Sequence, residues 1–228
     1  MDSFALSPGA IAYEDDYLLI IDKPPGMLIH PTVNESGCTL YDYVAAYYQQ
    51  KNLSCGIHPV SRLDRNTSGL VIFAKEPVVQ FWLSQREIIK EYLAIATGCI
   101  EQNEGIIEAP IARKEGSIIE RCVSENGKYA KTAYQVLHRS KNKTLLRLRL
   151  FTGRTHQIRV HMEYLGYPLV GDPKYSPMKT PFAINGQALH SLTLSFTHPR
   201  TGERLTFEAP LPEDMKKILT RLRLGQFN

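Results

Sequence analysis

Apolar residues in this chain fall in short runs whose period changes several times from one end to the other. Tyr17 to Asp22 is a brief apolar run stopped by Lys23-Pro24-Pro25-Gly26, which predicts a strand ended by a stiff turn. Behind Thr39, a helix-capping residue type, Leu40, Tyr43, Val44 and Tyr47 return on one helical face, and Asp42 stands near the positive helix end. Gly69 to Ala74 is continuously apolar and reads as a central strand. Pro77 opens a second helix with Val79, Trp82, Leu83 and Ile89 inward, and Tyr92 to Thr97 forms the next strand, ended by Gly98. From Thr144 to Leu150 the leucines at 146, 148 and 150 face one way and Arg147 and Arg149 the other, the alternation of a half-buried strand with a basic outer face.

After Gly153 the period lengthens. Ile158, His161, Met162 and Leu165 stand at helical spacing until Gly166 and Pro168 stop the helix. Strands recur at Ala188 to Phe196 and Arg204 to Glu208, and a last helix starts at Pro212 with Met215, Ile218, Leu219 and Leu222 inward. Strands outnumber helices and several are joined by short turns. The expected class is α+β, with a mixed, mostly antiparallel central sheet flanked by helices.

At 228 residues and 43% apolar content, the chain can bury a core as one domain or two closely joined lobes, and it carries no repeats or long linkers. No apolar run is long enough to span a membrane, and Met1-Asp2-Ser3-Phe4-Ala5 lacks the basic start of a secretion signal. Cys38, Cys55, Cys99 and Cys122 are scattered without paired spacing, which fits reduced thiols in a cytoplasmic protein. Net charge is only +4, but its distribution is uneven. From Asn126 to Glu163 the first acidic residue is Glu163 itself, while Lys128, Lys131, Arg139, Lys141, Lys143, Arg147, Arg149, Arg154 and Arg159 accumulate. That segregation suits a face for a polyanion, and it also suits strand edges kept soluble by charge.

Residues 58 to 69, His-Pro-Val-Ser-Arg-Leu-Asp-Arg-Asn-Thr-Ser-Gly, place one carboxylate, Asp64, between Arg62 and Arg65 just ahead of the apolar strand. Flanking guanidinium groups favour its ionised form, and a loop entering a strand can hold it rigidly, as a nucleophile requires. A surface ion pair is the simpler reading of the segment alone. His156 and His161, five apart, do not share a helix face and have no third ligand nearby, so no metal site is expected. His30, His58, His190 and His198 read as hydrogen-bonding residues at turns or strand ends.

Four ordered blocks carry a resemblance: Asp22-Lys23-Pro24-Pro25-Gly26; Arg62-Leu63-Asp64-Arg65-Asn66-Thr67-Ser68-Gly69; Gly153-Arg154-Thr155-His156-Gln157-Ile158-Arg159-Val160-His161 with Gly166-Tyr167-Pro168 and Gly171-Asp172-Pro173; and Ala188-Leu189-His190-Ser191. From about Tyr13 to Pro212 the chain resembles the RluA-type pseudouridine synthases. The resemblance implies isomerisation of uridine to pseudouridine in structured RNA, ribosomal or transfer, with base flipping in a central RNA-binding cleft and neither metal nor organic cofactor. It implies that Asp64 is the nucleophile, attacking the sugar or taking its 2′ proton, that Arg159 pairs with it, and that Tyr92 stacks under the target base. Arg62 matches the position that enters the vacated stack. Arg154, His156, Gln157, Ile158 and Leu70 are further candidate substrate contacts, although Leu70, Ile72 and Ile158 read better as core than as pocket wall.

Two positions depart from the family pattern: Ser61 stands where many members carry His, and Asn66 replaces a common acidic residue. Both bear on how the loop grips RNA. The chain begins too close to its first motif for the N-terminal RNA-binding domain of larger relatives, so a single catalytic domain over residues 1–228, acting as a monomer, is the expectation. Two other readings compete. A haloacid-dehalogenase-type phosphotransferase would want its aspartate after a strand with an acid two residues on, and Asn66 occupies that place. A non-catalytic RNA-binding protein of the same fold would have no use for Asp64, Tyr92 and Arg159 together.

Overall fold

The computed structural model describes residues 9–31 and 38–223; the N-terminal residues in which no secretion signal was read lie outside them. In chain order the elements are β1 (Ile11–Glu14), β2 (Leu18–Lys23), α1 (Leu40–Gln50), β3 (His58–Pro59), β4 (Ser68–Ala74) and α2 (Pro77–Ser84). Next come β5 (Ile89–Thr97), β6 (Glu104–Glu108), β7 (Ile111–Arg113), β8 (Arg121–Val123), β9 (Lys131–Ser140) and β10 (Lys143–Leu150). The chain closes with α3 (Gln157–Tyr164), β11 (Leu189–Thr197), β12 (Arg204–Glu208) and α4 (Glu213–Leu222). The chain divides into two compact units, Met1–Ile88 with Thr193–Ala209, and Ile89–Leu192 with Pro210–Asn228. In both, antiparallel ladders carry helices on their faces, the α+β class expected from the sequence.

In the first unit β2 and β4 pair antiparallel, with Ile20 opposite Ile72, and are apolar on both sides. Leu18, Ile20, Leu70 and Ile72 pack with Val79 and Leu83 of α2. Leu19, Ile21, Val71 and Phe73 pack with Leu40, Val44 and Tyr48 of α1. Burial on two faces explains the unbroken apolar run of β4, and each such leucine contributes about 1.5–3 kcal/mol of transfer free energy. Asp42 accepts from both the amide (2.8 Å) and the hydroxyl (2.7 Å) of Thr39, which closes the first turn of α1 as the sequence predicts. Helix α2 is shorter than expected. It ends at Ser84, and Ile89, five residues further on, is the first residue of β5; one apolar side chain at that distance fits either period.

In the second unit β10 lies between β5 and β9. One face of these strands buries Leu93, Ile95 and Leu145 under Met215, Ile218 and Leu219 of α4. This corrects the reading of β10 as having a basic outer face. Leu145 is fully buried on the same side as Arg147, whose Nε is itself buried without a partner among the described residues. The opposite face carries the rows Tyr92, Leu148, Tyr134 and Lys90, Leu150, Thr132. Helix α3 is fastened to that side: Thr132 Oγ1 lies 3.0 Å from Gln157 Nε2 and 2.9 Å from His161 Nδ1.

Candidate active site

The Asp64 loop is built by main-chain contacts to the turn that ends β2. Lys23 is fully buried, and its Nζ donates to the carbonyls of Pro24, Met27 and Arg65, each at 2.9 Å. Three acceptors need three N–H donors, which only the ammonium form supplies. Burial pulls this group down to about 7, while the Asp64 and Asp22 carboxylates pull it back up. The Arg65 carbonyl also accepts from the Gly26 amide (3.0 Å), and Arg65 Nε donates to the Gly26 carbonyl at 3.1 Å. Gly26 makes that exchange at φ 87°, a backbone region that favours glycine. The Thr67 amide closes the turn on the Asp64 carbonyl at 3.1 Å. Asp64 is half-buried, close enough to Lys23 for its charge to act there, and Arg62 is exposed. The positive charge of Arg62 adds to burial in holding His30 below the usual histidine range. Asp22 is pushed up to about 6 by burial, against the opposing charge of Lys23.

Lys23→Met is expected to leave three carbonyls without their donor, to cost roughly 2–4 kcal/mol of stability, and to lower kcat more than it raises KM. Denaturant titration and steady-state kinetics measure the two effects. A variant with unaltered kcat would detach this lysine from the positioning of Asp64.

In the second unit, Tyr92 is buried in β5, with its side chain on the α3-bearing face of the strands. Arg159 on α3 is not an exposed helix charge. It is 3% exposed and forms a two-pronged pair with Asp172, Nε to Oδ2 at 2.7 Å and Nη2 to Oδ1 at 2.8 Å. Asp172 Oδ1 also accepts from the amides of Lys174 (2.9 Å) and Tyr175 (3.1 Å). The guanidinium lies over the Tyr175 ring, 4.9 Å from its centre, and the Tyr175 hydroxyl lies 2.7 Å from His156 Nδ1. Asp172 and Tyr175 therefore aim Arg159. The block Gly171-Asp172-Pro173 was visible in the sequence, but no local signal ties it to a residue thirteen positions earlier.

Gln157 is not a free amide for substrate. Its Oε1 accepts from Thr152 Oγ1 (2.8 Å) and the Arg154 amide (2.9 Å), and its Nε2 donates to the Lys131 carbonyl and Thr132 Oγ1, each at 3.0 Å. With every valence used inside the protein, it shapes the turn ahead of α3. His156, at φ 58°, caps that turn in the left-handed region. Arg154 donates from Nε to the Tyr129 carbonyl (2.9 Å). Leu70 is core in the first unit, and Ile158 is 3% exposed.

Several basic residues of the 126–163 stretch also have internal tasks. Arg139 donates to the carbonyls of Ile100 (2.7 Å) and Glu101 (2.9 Å), and Lys131 meets Glu108 at 3.3 Å. Of the remaining histidines, His198 bonds Asp15 (2.8 Å) just past β11, as a strand-end residue should. His190 is fully buried as the second residue of β11. His161 is fully buried, with Nε2 3.0 Å from the Ala109 carbonyl, so this nitrogen carries the proton and burial keeps the ring below the usual histidine range. Among the described residues no three His, Cys, Asp or Glu side chains are grouped to hold a metal, and no helix is long and apolar enough to cross a membrane.

Comparison with known proteins gives the family to which these residues belong. The sequence profile described as RNA pseudouridylate synthase matches residues 17–164. The chain belongs to that family and is an isomerase of the RNA pseudouridine synthase class. It is 43% identical over 220 residues to the Bacillus subtilis protein named "Uncharacterized RNA pseudouridine synthase YlyB", covering 93% of this chain and 72% of that one. It is 40% identical over 227 residues to "Ribosomal large subunit pseudouridine synthase D" of Nitrosomonas europaea, covering 95% of this chain and 66% of the relative. Among solved structures, "Human RNA Pseudouridylate Synthase Domain Containing 4" shares the fold with a TM-score of 0.78 at 24% identity, over 96% of this chain and 95% of that one.

Proposed function

We propose that this protein converts uridine to pseudouridine at a defined position in structured ribosomal or transfer RNA, with residues 1–228 acting as one catalytic domain, as a monomer in the cytoplasm. Asp64 supplies the reacting carboxylate. It either attacks C1′ of the flipped nucleotide or removes its 2′ proton; in both routes the N1–C1′ bond breaks, uracil turns while held, C5 bonds to C1′ and then gives up its own proton to solvent, and N1 ends protonated. Tyr92 supports the base with its ring, and Arg159 holds the carboxylate ionised against the cost of burial when RNA excludes water. Arg62 fills the space the nucleotide leaves, within the central cleft that receives the RNA. No metal or organic cofactor takes part. The observation that carries this reading is family membership together with an aspartate whose loop is fixed by main-chain hydrogen bonds to the Lys23–Gly26 turn. Support for an RNA of ribosomal origin comes from relatives named for the large ribosomal subunit.

Pseudouridine mapping in total RNA from cells with and without the gene tests it. Loss of the modification at one or a few ribosomal or transfer RNA positions is the expected result. An unchanged map would contradict it.

A further inference from the structure

Strand β5 carries a second chemical group beside Tyr92. Alternation along an unbroken ladder puts Lys90 and Tyr92 on one face, opposite Leu150 and Leu148, about 7 Å apart along the strand. That is the face to which Gln157 and His161 fasten α3 through Thr132. Lys90 is half-buried, and among the described residues its ammonium has no hydrogen bond, no ion pair and no opposite charge acting on it. Burial alone holds its pKa below the ordinary lysine value. Among the described residues Arg147, whose Nε is also buried without a partner, lies on the opposite face of the strands, and three other shielded cations have partners. Lys23 has three carbonyls, Lys75 has Glu14 at 2.9 Å, and Arg159 has Asp172. A partly desolvated charge without a partner costs folding free energy, so the protein gains from it only when an anion arrives.

We propose that Lys90 clasps a backbone phosphate next to the nucleotide held against Tyr92, and so fixes the RNA strand in register at the reaction centre. This rests on the reading of Tyr92 as the support of the target base. A compact ammonium suits a phosphate oxygen, and the spacing of Lys90 from Tyr92 is comparable to the span from a nucleobase to a flanking phosphate. The alternative, a lysine whose stem covers Leu150 while its head reaches water, predicts no effect on RNA.

The test compares wild type, Lys90→Met and Lys90→Arg on one transcript that the wild-type protein converts. Binding is measured across a salt series, and conversion is followed in single turnovers. Lys90→Met is expected to weaken binding about tenfold and to flatten the log affinity against log salt slope by about 0.7–0.9, the loss of one phosphate contact. Its binding defect should exceed any defect in the conversion step. Lys90→Arg should keep the wild-type slope. The thermal midpoint of Lys90→Met should equal or exceed that of wild type, since an uncompensated charge is removed, so weakened binding could not be ascribed to unfolding. A Lys90→Met slope equal to wild type would overturn the proposal. Failure of the wild-type protein to convert any RNA would instead overturn the reading on which it rests.

Discussion

Arg159→Ala is expected to remove about 3–5 kcal/mol of folding stability as well as most turnover. The large cost follows from burial. Arg159 and Asp172 pair with side chains 4% and 0% exposed, and deleting one partner strands a carboxylate in a site that water scarcely reaches. The two remaining amide donors, from Lys174 and Tyr175, hydrogen-bond Asp172 without neutralising it. Arg159→Lys keeps a charge but replaces the two-pronged fork with a single donor, and should recover part of the stability and little of the turnover. Denaturant titration reads the first effect and single-turnover kinetics on RNA the second. If Arg159→Ala bound RNA poorly while bound substrate still turned over at the wild-type rate, the residue would be a phosphate contact and not a partner of the reacting carboxylate.

Asp64→Asn is expected to lower turnover by at least about a thousandfold, the scale seen when a reacting group is deleted from a preorganised site. RNA affinity should stay within a few-fold of wild type. Asparagine preserves the shape of the side chain and removes its charge, so the comparison isolates the carboxylate. Main-chain hydrogen bonds at Gly26, Arg65 and Thr67 hold the loop and are untouched by the substitution, while the Lys23 ammonium loses the Asp64 charge that supports it. The variant should therefore keep its fold and unfold at a somewhat lower denaturant concentration than wild type. Asp64→Ala tests the same point without an amide that could accept or donate a hydrogen bond.

The elements with strong periodicity were legible in the chain. The cap at Thr39, the two-sided burial of β4, the inward face of α4 and the limits of β12 all follow from residue pattern. Strands β6 to β9 were not. Lys131 to Ser140 is mostly polar, and its pairing with β10 shifts register between Leu145 and Leu146, so no clean alternation marks it. Ladder partners and not its own composition make it a strand. The motifs likewise gave the residues of the candidate site but not what holds them. The Arg159–Asp172 pair, the Tyr175 ring beneath it and the Lys23 clamp on the Arg65 carbonyl join positions 13, 16 and 42 residues apart, and only folding brings such groups together. Charge counting alone could not show which basic residues also hydrogen-bond within the protein, as Arg139 and Arg159 do.

The most direct measurement is release of tritium from C5-labelled uridine in RNA by the purified protein in the presence of a metal chelator, with pseudouridine counted in the same sample. The account predicts that wild-type protein releases one tritium for each pseudouridine formed and that Asp64→Asn releases none above background. Equal release by the two proteins would contradict it.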